Sequence, residues 1–516
     1  MPKVVIDPMS RIEGHLKVET VVDGGEVKEA EVSGTLFRGF EIFLKGRDPW
    51  DAARLTQRVC GVCPAVHGNA SAQCLDMALG VTARVPHNGR IIRNLLLGAN
   101  FLQSHILHFY ALAALDFVDV TAVADYEGND PDLISIKNFI VRGALAPFVP
   151  RYEGDYRLSK EANVACAKHY VQALRMRALS HEASAIFGGK MPHDVGTVPG
   201  GVAGGPTTDK IMAFAGKIRA ILDFATNVYI PDILAVAQAY PDYFAIGKGV
   251  DDYLAWGAFD EDLHVDITRR QRYFPNGVVI DGALAPAEPD KVFEHVAHSW
   301  FTEDCAAKPA EADTVPDPEK PAAYSWLKSP RYDGRAVEVG PLARTMVAYL
   351  GGNKGCKAEV DAVLSALDAK PDALKSVLGR HAARAIEVKR LCGIMIEWAL
   401  ALKPGEPCCA PATTPKESVG QGCVDGPRGA LAHWIKIEDK KIGRYQLVVP
   451  TTWNASPRDA NDVPGPMEQA LLGTAVKDPE NPFELARIVR SYDPCLACAV
   501  HVLDAHRNLK GVVRIA

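Results

Sequence analysis

Four of the twelve cysteines form two pairs of identical spacing, Cys60-Gly-Val-Cys63 and Cys495-Leu-Ala-Cys498. A two-residue gap lets both sulfurs of a pair reach one metal without backbone strain. Two pairs can therefore supply four thiolates, the donor set of zinc or iron–sulfur chemistry. In a zinc ribbon the pairs lie about 15–20 residues apart. Here most of the chain separates Cys63 from Cys495. A structural zinc usually organises a local loop, so this distance disfavours zinc without excluding it. A redox dithiol expects its CxxC at the start of a helix in a βαβ unit, which the hairpin-then-helices pattern around Cys60 does not supply. Two unrelated pairs of buried thiols would leave both spacings to chance. Cys74, Cys166, Cys305, Cys356, Cys392, Cys408, Cys409 and Cys423 lack the spacing, and most of them read better as buried apolar thiols.

The flanks of the pairs add chemistry. Arg58 precedes Cys60 and His67 follows Cys63, while Asp493-Pro494 precedes Cys495 and His501 follows Cys498. Cationic and N–H donor groups beside thiolates favour their deprotonated, metal-binding form. A lone histidine near a CxxC is more often structural. Its repetition after both pairs gives a ligand or supporting role equal weight.

The elements that must position these residues follow from periodicity. Residues 15–34 alternate apolar and polar around Asp23-Gly24-Gly25, which predicts a β-hairpin. Ile91, Leu95, Leu102, Ile106 and Phe109 form the stripe of a long buried helix. A second helix is expected from near Ser159 to Gly188-Gly189, and a third from near Thr208 towards Pro231. Residues 240–345 show no sustained helical period and read as irregular structure with short strands. Helical patterning returns at about 358–402, and 403–427 reads as a long loop. A second hairpin is expected over HWIKIEDKKIGRYQLVVP, turning between Lys440 and Gly443, with short helices near 466–473 and 482–491. The fold class is α+β and mainly helical: a long central helix bundle with small peripheral β-sheets. Length alone favours roughly three domains, but no clean linker divides the chain, so one interlocked domain is expected.

Composition bounds the partners. With 48% hydrophobic and 23% charged residues and a net charge of −6, the chain reads as a globular enzyme with no basic tract for nucleic acid. The N-terminus MPKVVIDPMSRIEGH lacks the basic and apolar regions of a signal peptide. No run approaches the roughly 18 apolar residues of a spanning helix. If the protein acts outside the cytoplasm, another chain is expected to take it there.

Together, RVCGVCPAVH (58–67) and DPCLACAVH (493–501) resemble the large subunit of nickel–iron hydrogenases. Family-like blocks fill the interval: DPMSRIEGH (7–15), FRGFEIFLKGRDP (37–49), RNLLLGANFLQSHILHFY (93–110), FGGKMPH (187–193), GPRGALAHW (426–434) and PTTWNASPRD (450–459). The resemblance spans essentially the whole chain. QSHILHFY and SYDP are closest to the selenium-containing branch of sulfate reducers, although Cys495 stands where that branch carries selenocysteine.

The resemblance implies that Cys60, Cys63, Cys495 and Cys498 hold nickel. Cys63 and Cys498 would bridge to an iron carrying CO and cyanide, and Cys60 and Cys495 would stay terminal. His67 and Asp493 would support the cofactor. Glu13 would exchange protons with the terminal thiolate, and Arg428 would sit over the metals paired with Asp493. Glu41, His501 and the backbone carbonyl of Leu447 would hold magnesium, or iron in its place. Ser104 departs from the pattern, occupying a position where some members carry an Asp beside Arg428. The implied reaction is reversible oxidation of H2 to protons and electrons, with Cys495 sulfur as first base and Arg428 as second. An iron–sulfur small subunit would take the electrons. A protease and nickel-insertion proteins would mature the chain, leaving 1–501 as the catalytic domain and removing 502–516. The complex would be periplasmic or membrane-attached if the small subunit carries an export signal, and otherwise cytoplasmic. A hydrogen-sensing or assembly subunit on the same fold is the alternative.

Overall fold

Gly24 and Gly25 adopt φ of 60° and 81°, the left-handed pair that a two-residue hairpin turn requires. They join strands Leu16–Asp23 and Glu26–Gly34. Leu16, Val18, Thr20 and Val22 point into the core at every second position. Strand Lys3–Ile6 adds antiparallel to Leu16–Asp23, completing a three-stranded sheet. These observations come from a computed structural model, which describes residues 3–496.

Four helices form the centre. His87–Leu107 packs against Lys160–Gly188 and Val377–Leu400, and Thr208–Phe224 packs against those same two. Lys160–Gly188 starts where Ser159 Oγ accepts the Ala162 N–H, and it stops at Gly189 in the left-handed conformation, φ 79°. His87–Leu107 is buried nearly all round, including Asn94, Asn100, Gln103 and Ser104. Polar side chains at such depth need partners, and several of these partners belong to the site described below.

Three expectations needed correction. The third helix does not end at Pro231: a π-turn over Ala225–Tyr229 leads directly into Ile230–Ala239. Pro231 lies in the first turn of that last stretch, where its missing N–H costs little. The continuous run Thr208–Ala239 is also long and apolar enough to cross a membrane by length and composition, although none was expected. In this structure it is a bundle helix packed on Lys160–Gly188 and Val377–Leu400. The loop expected over 403–427 is shorter, because Ser418–Gly426 is a strand.

That strand pairs with Gly429–Glu438, which pairs with Lys441–Val448 through a turn at Asp439 and Lys440, both at positive φ. Residues 240–345 form short strands as expected. Four of these strands make a sheet in the order Ala283–Ala285, Gly277–Ile280, Tyr253–Ala255, Glu338–Val339. Buried ion pairs peg this irregular region to the bundle, Arg380 to Glu338 at 2.8 Å and Arg344 to Glu387 at 2.7 Å, and Arg344 Nη1 also donates to Gly426 O at 2.8 Å. The largest apolar cluster draws on residues from Val4 to Leu496. Cys498, His501 and the 502–516 extension lie outside the described residues.

Candidate metal centre

The first CxxC is a junction between helices. Cys60 leaves the short turn Gln57–Val59 in extended conformation, and Cys63 precedes helix Pro64–Ala78, with Pro64 in its first turn. The loop between them turns its amides inward: Val62 N–H donates to Cys60 Sγ at 3.2 Å and Cys63 N–H at 3.4 Å. Such bonds stabilise a thiolate.

Helix Phe483–Ser491 leads to Cys495. After it Asp493 turns at φ 57°, and Cys495 follows with its N–H donating to Thr451 Oγ1 at 2.9 Å. The main chain of Glu13 runs beside this segment as an isolated parallel bridge to Cys495. Glu13 N–H donates to Pro494 O at 3.3 Å, and Leu496 N–H to Glu13 O at 2.6 Å.

Cys60, Cys63 and Cys495 thereby meet, with their sulfurs all within 4.8 Å of one another and all buried. Cys60 Sγ and Cys495 Sγ are 3.4 Å apart, far beyond the roughly 2.05 Å of a disulfide. Buried thiolates so close repel one another unless a cation lies between them. A soft, redox-active transition metal fits this donor set.

Arg428 lines the same small cavity as Cys63 and Cys495. Its Nη2 donates to Asp493 Oδ1 at 2.9 Å and its Nε to Asp493 O at 2.9 Å. Burial opposes its charge, but Asp493 and the thiolates of Cys495, Cys63 and Cys60 outweigh burial and hold its pKa well above the ordinary value. Nη1 is buried with no hydrogen-bond partner among the described residues. A cavity of about 10 Å³, room for one small molecule, lies against Cys63, Cys495, Pro427 and Arg428. Ser104, where an acidic partner for Arg428 was in question, is buried and its Oγ has no partner among the described residues. The second basic group facing Asp493 is Arg384, which sequence reading did not single out. Burial lowers its pKa to about 10 despite Asp493.

Glu13 is partly buried beside these groups. Burial raises its carboxyl above the usual range, as does the nearby Cys60, while Arg428 pulls it down. His67 lines the small cavity, and its Nδ1 lies 3.3 Å from His433 Nε2. His433 Nδ1 is in turn 2.8 Å from Tyr445 OH. This places His67 in a buried polar chain that orients its ring.

Two residues expected at a second ion site, Glu41 and Leu447, come together. Glu41 and Leu447 line one cavity of about 30 Å³ together with Glu294, Lys328 and Gln446. Lys328 Nζ lies 3.2 Å from Glu294 Oε2. Burial raises the Glu41 and Glu294 carboxyls against the pull of Lys328. Glu294, Lys328 and Gln446 carry no local motif and could be found only through the fold.

The nickel-dependent hydrogenase family matches residues 38–501, and a HoxL-like family matches residues 3–34. The chain is 40% identical to the periplasmic NiFeSe hydrogenase large subunit of Desulfomicrobium baculatum, over 99% of this chain and 97% of that one. It is 36% identical to the hydrogenase-1 large chain of Escherichia coli, over 97% and 95%. The solved Ni-Fe-Se hydrogenase of D. vulgaris Hildenborough in its as-isolated oxidized state superposes with a TM-score of 0.86 at 41% identity, covering 97% of this chain and 100% of that one.

Proposed function

The chain belongs to the nickel-dependent hydrogenase family, and on that premise we propose how its own residues serve the reaction H2 ⇌ 2H⁺ + 2e⁻. Oxidation of H2 at a nickel–iron centre is its activity, and it is an oxidoreductase acting on hydrogen. The observation that carries the residue assignment is the convergence of Cys60, Cys63 and Cys495 from opposite ends of the chain. Cys498, outside the described residues, would complete the set of four thiolates that would hold nickel and iron. When bound, the metals act as Lewis acids that make H2 acidic and take up its electrons.

Cys495 sulfur accepts the proton. Arg428, clamped on Asp493 through two atoms, serves as a fixed positive charge beside the site. Glu13 then takes the proton from Cys495. Its backbone bridge to Cys495 fixes the two residues side by side, and its raised carboxyl pKa brings it closer to neutral working pH. The small cavity against Cys63 and Arg428, with room for one small molecule, would border the CO or cyanide ligands that an iron there would carry. Arg428 Nη1, buried without a partner among the described residues, is a donor suited to a cyanide nitrogen. Glu41 and the Leu447 carbonyl would hold magnesium in the second cavity, a hard oxygen-rich setting, with His501, outside the described residues, as the expected third ligand.

Electrons leave through a small subunit carrying iron–sulfur clusters, since this chain has no further CxxC pair to hold a cluster. The relatives are named large subunits, in keeping with a heterodimer. We place the complex in the periplasm or at the membrane, exported by a signal on the small subunit. Residues 1–501 act as one catalytic domain, and a specific protease removes 502–516 after nickel insertion. Elemental analysis of the purified complex, together with H2-dependent dye reduction, tests the reading. Nickel and iron with rapid turnover support it, whereas zinc, or metal without turnover, would contradict it and favour a sensor or assembly role.

A further inference from the structure

Asn100 and Gln103 project from one face of the buried helix His87–Leu107, and both amides donate to a single carbonyl. Asn100 Nδ2 lies 2.8 Å and Gln103 Nε2 lies 2.5 Å from Val62 O. That carbonyl belongs to the peptide group whose nitrogen is Cys63 N, the donor 3.4 Å from Cys60 Sγ. A trans peptide points its C=O and N–H in opposite directions, so fixing one end aims the other.

Behind Gln103 stands a charge. Arg177, on helix Lys160–Gly188, donates from Nε to Gln103 Oε1 at 3.3 Å. The order is guanidinium, side-chain amide, backbone peptide, sulfur. Each N–H points towards Cys60, and each group polarises the next. Both Asn100 and Gln103 are fully buried, so little water screens the alignment.

We propose that Gln103, with Arg177 behind it and Asn100 beside it, is a positioning residue that holds the Val62–Cys63 peptide aimed at Cys60 and so draws electron density from that sulfur. Hydrogen bonds to a metal-bound thiolate make it a weaker donor and raise the reduction potential of the metal. The inference rests on the assignment of Cys60 as a nickel ligand. It goes beyond that assignment by naming what tunes the sulfur.

The test is a redox titration of the nickel signals by electron paramagnetic resonance, made on the purified holoenzyme after nickel content is measured. Absence of nickel from the unmodified enzyme would mark failure of the metal assignment itself, separately from this proposal. Gln103→Leu removes one donor and the link to Arg177, so the nickel couple should move to a more negative potential at unchanged nickel content. Arg177→Gln, at a half-buried position, should move it the same way by less. If Gln103→Leu fails to assemble, Arg177→Gln decides alone: a negative shift supports the proposal. An unchanged or more positive potential in either nickel-loaded variant overturns it.

Discussion

Glu13 and Cys495, near opposite ends of the chain, lie side by side as an isolated parallel bridge, closed by Leu496 N–H donating to Glu13 O at 2.6 Å. The bridge fixes the main-chain positions from which a carboxyl and a candidate proton-accepting thiolate extend. Thr451 Oγ1 holds the Cys495 N–H from the other side. A site clamped this way changes little when a side chain is altered, so substitutions at it report on chemistry more than on folding.

The four thiolates should be separable from the remaining cysteines. Cys60→Ser replaces a soft donor with a hard one, and the purified complex should contain nickel well below one atom per molecule. Cys409→Ser, at an exposed cysteine remote from the cluster, should retain full nickel. Equal nickel in both variants would detach Cys60 from the centre.

Arg428 binds Asp493 through two atoms, Nε to the main chain and Nη2 to the carboxylate. Lysine keeps the charge but loses that planar fork. Removing a preorganised donor of this kind costs about 10²–10³ in turnover. Arg428→Lys should therefore lower H2-dependent dye reduction by about that factor while metal content stays at the wild-type level. Turnover near that of the unmodified enzyme would remove Arg428 from the reaction.

Strand Ser418–Gly426 lies directly on helix Pro64–Ala78. A Cβ on Gly422 would come within 2.0 Å of Ala70 O and 2.6 Å of Cys74 N, both backbone atoms. Gly422→Ala must push the strand off the helix that begins at Cys63, an overpacking cost of about 1–3 kcal/mol. Its melting temperature should fall by about 1–3 °C in a thermal scan, and an unchanged value would contradict the close packing.

Glu468 provides a pH test away from the metals. Burial raises its pKa to about 8, although Val32 N–H and Tyr324 OH both donate to its Oε1. The unfolded value is about 4.3. Between the two the folded state carries a proton that the unfolded chain lacks, so this group's contribution to stability falls as pH rises through that window and levels off above about 8. Glu468→Gln has no such slope. The melting temperature of the variant relative to the unmodified protein should rise from about pH 5 to about pH 9, and a constant difference would contradict a protonated Glu468.

The features written into local sequence were legible before the fold. The Gly24-Gly25 turn, the Ser159 and Gly189 helix ends and the two CxxC pairs each depend on residues close together in the chain. What escaped depends on tertiary contact. Strand Ser418–Gly426 carries Gly420 and Gly422 where side chains would show its period of two, and the reason is the helix backbone pressed against them. Helix continuation through Pro231 needed a π-turn that no pattern announces. Glu294, Lys328 and Gln446 join Glu41 only because separate strands converge on one cavity. Asn100 and Gln103 sit in a helix read for its apolar stripe, so their polarity passed as incidental.

The most direct test of the account is H2/D2O exchange catalysed by the Glu13→Gln holoenzyme. Glutamine keeps the shape and the backbone bridge to Cys495 but cannot carry the proton. With nickel and iron present at wild-type levels, the account predicts that exchange is abolished. Exchange at the wild-type rate in that variant would show that the proton leaves Cys495 by another route.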